Sequence, residues 1–201
     1  HRTLVTYKET VADAKIDPAI DAVTGVPIWT GTWRDPRFSP PGDGGRPENG
    51  LAGTLFMVNA GTTGIGIPAE LGKHRFWRNT TIASLPAGTN ATLPDGTLGY
   101  EWDEAPNNGV QPPGLMRLSR RTVSGVEVLT DFGTNSTTGS ATHSLTLYRH
   151  ESGALVFGAG TVQWAWGLDD THDRGSGAAD PRMRQATVNL FADMDVLPRT
   201  I

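Results

Sequence analysis

The chain contains no cysteine. Disulfide staples, thiol nucleophiles and cysteine-ligated zinc are therefore excluded, and packing and hydrogen bonding must hold the fold together. Charge is sparse too: 19% of the 201 residues are charged, the net charge is −4, and no Lys/Arg cluster stands out. A chain of that kind is not an electrostatic binder of nucleic acid. No apolar run approaches the roughly 20 residues of a membrane span, so no membrane partner is expected. Two catalytic signatures are missing as well. "GTTGIG" at 61–66 lacks the lysine of a phosphate-cradling loop, and "GSG" at 175–177 is a turn, not part of a Gly-x-Ser-x-Gly nucleophile elbow. There is neither an initiating Met nor a signal-like start, because "HRTLVTYKE" already alternates like a strand. The chain is accordingly expected to be a fragment of a larger protein.

What is abundant is glycine and proline, 25 and 14 residues, beside six Trp and six Phe. Short elements joined by many turns around an aromatic core follow from this. A chain of this length is enough for one domain.

"TLVTYK" at 3–8 reads as a strand, and "VADAKIDPAIDAVTG" as a loop broken by Pro18 and Gly25. "VPIWTGTWRDP" reads as an edge strand, while "LAGTLFMVNAG" and "GIGIPA" are apolar runs of strand length. A turn is predicted at Pro94–Gly96, followed by a short strand. Hairpins are predicted around Ser124–Gly125 and around Glu151–Gly153. "ALVFGAGTVQWAW" is nearly all apolar, the pattern of a strand covered on both faces, with Trp164 and Trp166 as core residues. A single helix stands out: Asp180 caps it, Pro181 takes its first position, and an apolar stripe runs from Met183 towards Met194. The expected fold is mainly β, an antiparallel, sandwich-like single domain over 1–201. Its β-rich part covers 2–150, and a closing strand and helix, akin to a βα unit, covers 154–197.

Three groups of residues invite a chemical reading. Asp169, Asp170, His172 and Asp173 crowd the end of the apolar run, and oxygen-rich ligands of this kind suit calcium, magnesium or manganese. The spacing matches no strong metal motif, so a soluble loop rich in turn formers is the plainer reading. Glu101, Trp102, Asp103 and Glu104 place carboxylates beside an aromatic ring, as a general acid/base pair or a sugar platform does. In a strand Glu101 and Asp103 share one face and Trp102 takes the other; a half-buried strand with an acidic solvated face is the alternative. Arg46 and Glu48 in "GGRPENG" read as an ion pair pinning a loop or, less simply, as substrate contacts.

Taken together, "RTLVTYKE", "WRDPRF", "RPENGLAGTLF", "LGYEWDE", "GALVFGAGTVQWAWGLDDTHD" and "DPRMRQATVNLFADMDV" resemble the C-terminal region of proteins like the large (beta) subunit of N,N-dimethylformamidase. The resemblance implies an amidohydrolase acting on carbon–nitrogen bonds of small amides. It also implies an upstream α/β glutamine-amidotransferase-like domain as partner, with iron held there by two tyrosines and a glutamate. The Gly-His-Asp-Glu-type segment that supplies a ligand is not found here, so this fragment is expected to hold no iron and to be inactive alone. By resemblance Lys8 and Glu101 reach the reacting centre, the carboxylate to accept and return a proton, the ammonium to polarise the carbonyl or keep that carboxylate ionised. Relatives imply an extracellular bacterial protein, with a cytoplasmic location left open. The competing reading is a non-catalytic structural or carbohydrate-binding module presenting Trp29, Trp33 or Trp102.

Overall fold

The computed structural model describes residues 16–20, 27–29, 34–36, 45–133, 135–173 and 177–196, the first two segments as backbone alone. In chain order the regular elements are β1 (Ile16–Ile20), β2 (Pro27–Trp29), α1 (Asn49–Ala52), β3 (Leu55–Ala60), β4 (Gly66–Pro68) and α2 (Ala69–Gly72). There follow β5 (Asn90–Thr92), β6 (Trp102–Glu104), β7 (Met116–Arg117), β8 (Arg121–Thr130), β9 (Asn135–His143), β10 (Thr146–Arg149), β11 (Leu155–Gly158) and α3 (Pro181–Asp193). Short 3-10 helices at Arg75–Trp77, Thr81–Ser84, Asp131–Gly133 and Trp164–Gly167 turn the chain between them.

The protein is mainly β, with antiparallel pairing throughout these strands and a C-terminal helix. The expected sandwich-like arrangement takes a particular form. The sheets are small, and the largest closes on itself in the order β3-β6-β9-β8. Closure rests on a single pair, Glu104 opposite His143. Register shifts in β8 between Ser124 and Val126, and in β3 between Val58 and Ala60, supply the extra twist that brings the sheet round. The ring is narrow, so its lining is tight. Val58 and Trp102 have no exposed surface, and Trp102 Nε1 donates to the Gly61 carbonyl at 2.9 Å. Gly61 has φ +142, and a Cβ there would stand 2.4 Å from Val126 Cγ1, so only glycine fits.

The rest of the core lies between the β7-β10-β11 sheet and α3. Phe76 meets Trp77 edge-on at 4.8 Å and stacks on Phe157 at 5.3 Å, and Trp164 closes the group against Phe157 at 5.6 Å. Helix α3 presses Met183, Ala186 and Leu190 into this core. Its start is the one expected: Asp180 accepts from the Arg182 backbone N–H at 2.7 Å, and Pro181 opens the first turn. Asn189 then ties it to the chain before it, donating to the carbonyls of Phe76 at 2.9 Å and Arg78 at 2.7 Å. Arg75 and Arg78 both pair with Asp193, whose carboxyl they hold below its ordinary range.

Several expectations are corrected. Ser124–Gly125 is a bulge inside one long strand, not a turn; the chain reverses at Asp131–Gly133 instead. The apolar run after Ala154 gives a strand only to Gly158, and Trp164 and Trp166 lie in a 3-10 helix. Strand β11 runs antiparallel to β10, so the closing strand and helix do not form a parallel βα unit. Residues 16–20 are extended and paired, not loop, Pro18 included. The strand expected at 3–8 falls outside the described residues.

Candidate functional site

Segments far apart in sequence meet at one end of the ring. Arg34, in "WRDP", is buried and donates through Nη2 to Glu48 Oε1, in "RPEN", at 2.7 Å. Burial draws the Arg34 guanidinium below its ordinary range, and the charges of Glu48 and Asp103 work against that effect. Asp103 lies on β6, in "YEWDE", and its Oδ2 accepts from the Thr54 hydroxyl at 2.7 Å. Asn49 is buried at the start of α1 and exchanges amide hydrogen bonds with Asn108, at 2.9 and 3.2 Å. Asp35 is buried beside Arg34 in the chain.

Two features set this region apart. The first is close backbone approach. A Cβ on Gly53 would stand 2.8 Å from Thr146 Oγ1, one on Gly158 2.6 Å from the same atom, and one on Gly160 3.4 Å from Asp103 Cβ. The second is incomplete pairing. Among the described residues, Arg34 Nε, Glu48 Oε2, Thr146 Oγ1 and His143 Nδ1 are buried without a hydrogen-bond partner. Buried polar atoms are almost always paired, so such a concentration marks a place under a demand other than stability.

His143 shows what that costs. It lies wholly inside the ring, and a carbonyl can only accept, so its Nε2–H donates to the Ala159 oxygen at 3.0 Å. Burial pushes its pKa down to about 4, with the Ala159 bond opposing. At neutral pH it is an uncharged imidazole held edge-on to Trp102, the ring centroids 6.2 Å apart.

The predicted residues divide. Glu101 is half-buried in the bend directly before β6. Trp102, proposed as a substrate contact or sugar platform, is fully buried and cannot serve as either. Glu48 pairs with Arg34, fourteen positions away, a partner the local sequence does not suggest. Arg46 is exposed in the segment leading into α1. Lys8, Trp33 and the Trp29 side chain lie outside the described residues. Arg34, Thr54 and His143 were missed; for Arg34 the available signal was the "WRDP" motif itself.

The loop at 169–173 is engaged with its neighbours. Asp169 accepts from the Thr171 backbone N–H at 2.7 Å, and Asp170 lies 3.7 Å from Arg184. His172 stacks on Trp166 at 4.3 Å, and Trp166 Nε1 donates to Asp173 Oδ1 at 3.2 Å. Among the described residues no three His, Asp or Glu come together to hold a metal. A cavity of about 400 Å³ lies elsewhere, between Phe76, Leu118, Leu147, Leu155, Arg149 and Asp193, and none of the predicted site residues lines it. No helix among the described residues is long and apolar enough to cross a membrane.

No curated protein and no solved structure matches the chain. A family model does, over residues 1–177, a span that takes in the Arg34–Glu48–Asp103 cluster and stops just short of α3. The chain belongs to the family described as N,N-dimethylformamidase beta subunit-like, C-terminal.

Proposed function

We propose that this domain serves an amidohydrolase acting on carbon–nitrogen bonds of small amides, as wall and support for a site whose iron ligands lie upstream in an α/β domain of the parent protein. The observation that carries the reading is the convergence of "WRDP", "RPEN" and "YEWDE" on one buried charge pair beside β6. Arg34 feels the charges of Glu48 and of Asp103 on β6, and Glu101 directly precedes that strand. Glu101 then accepts a proton during attack on the amide and returns it to the leaving amine, and Lys8 stabilises the developing charge on the carbonyl oxygen. The parent is read as an extracellular bacterial protein.

The test uses the parent chain with its upstream region present. Bound iron is quantified, and amine release from small amides is measured for Glu101→Gln and Lys8→Ala. The expected result is unchanged iron with turnover lowered roughly 100-fold or more in each variant. Unaltered turnover in both variants sinks the proposal. The competing binding-module reading loses Trp102 as its platform, because that ring is sealed in the core.

A further inference from the structure

Strand β9 is paired with β8 along its whole length, but on its other side β6 reaches only His143. From Asn135 to Ala141 that second edge has no strand beside it among the described residues, and Asn135–Thr138 and Ser140 are exposed. The direction of the backbone groups follows from one contact. The Thr142 N–H points away from β8, since it donates to the Glu104 side chain. Successive residues of a strand alternate, so Ser140, Thr138 and Ser136 also direct N–H and C=O outward. The side chains agree. Thr122–Thr142 and Ser124–Ser140 join by hydroxyl hydrogen bonds at 2.9 Å each, as expected of close, non-hydrogen-bonded backbone pairs.

An open edge normally carries a lysine, a proline or an inward charge that keeps other strands off. "NSTTGSAT", 135–142, has none of these. We propose that this edge pairs with the same edge of a second copy of the chain, about a two-fold axis through Thr138. A two-fold makes two identical strands antiparallel, the orientation the rest of the sheet already uses. In this register Ser136 faces Ser140 of the second copy, about six backbone hydrogen bonds form, and pairing stops before Thr142, whose N–H is already taken. Identical strands meet without bringing like charges together, because the edge carries no charge at all. Such a strand pair buries less than the roughly 1,200 Å² of a standard interface, so the association is weak, in the micromolar range or above.

Sedimentation equilibrium of the full chain, from a few micromolar to several hundred, tests this together with amide exchange by NMR over the same range. The average mass should climb from one chain towards two, and the amides of Ser136, Thr138 and Ser140 should exchange more slowly as concentration rises. Thr138→Pro removes one outward N–H and leaves the β8–β9 ladder intact, so it should weaken association roughly tenfold or more. The exchange measurement needs no variant and decides the matter if the proline variant fails to fold. A chain that stays monomeric throughout overturns the proposal. So does an association that leaves those three amides unprotected.

Discussion

Two polar regions of this molecule differ in how completely they are paired. Around α3, Asn189 binds two carbonyls, Asp193 holds two arginines, and Asp180 caps the helix while gripping Arg182 at 2.5 Å. Around Arg34 and Glu48, charges and hydroxyls are more deeply buried, yet among the described residues four atoms have no partner. The first pattern is what stability alone produces. The second is what remains when sequence answers to something besides stability, since an unpaired buried group costs about 1–3 kcal/mol.

The most severe way to break the ring side is Trp102→Ala, which empties the centre of the barrel. It should cost about 3–5 kcal/mol in urea unfolding, near the limit of what a domain this size tolerates. Acid offers a second break. The His143 pKa is about 4 in the fold against 6.5 unfolded, so the unfolded chain binds the proton more readily. The associated stability is fully present above pH 6.5 and falls away as pH drops towards 4, by about 3 kcal/mol in all. Urea midpoints at pH 7, 5 and 4 should therefore slope more steeply in the wild type than in His143→Gln. On the α3 side, Asn189→Ala strips the Phe76 and Arg78 carbonyls of their donor and should cost about 1–3 kcal/mol. Thr146→Val sharpens the contrast from the other direction. It keeps the shape and removes a hydroxyl that has no partner, so it should raise stability by about 1 kcal/mol, measured by the same unfolding. A loss instead would mean that Thr146 is satisfied after all, and the distinction between the two regions would narrow.

Local signals were legible wherever local chemistry decides. Asp180 followed by Pro181 announces a helix start, and the hairpin around Glu151–Gly153 joins β10 to β11 as expected. They failed where tertiary pairing overrides them. Ser124–Gly125 looks like a turn, and Gly125 does have φ +74, but Val126 is needed in the core, so the strand bulges there and continues. The true turn uses Asp131 and Phe132 at φ +47 and +59, and Phe132 is a residue that carries no turn signal. Trp164 and Trp166 alternate as strand residues do, yet the 3-10 helix packs Trp164 on Phe157 and lays Trp166 against His172. At the site, the short strand that carries Asp103 could be read from the sequence after the turn at Pro94–Gly96. The Arg34–Glu48 pair could not, because its members come from separate segments and nothing in either names the other.

The single rung that closes the ring has a kinetic consequence. Hairpin β8–β9 needs only local contacts and can form within microseconds, but Glu104 and His143 meet only after the intervening chain has been gathered in. The last rung to form is also the first to part, because it has no neighbouring rung to hold it. Transient opening there lets water reach the His143 imidazole, and a proton taken up in that moment keeps the seam from closing. Acid would then act first as a wedge at this seam, loosening the strand that carries Asp103 before the rest of the domain gives way.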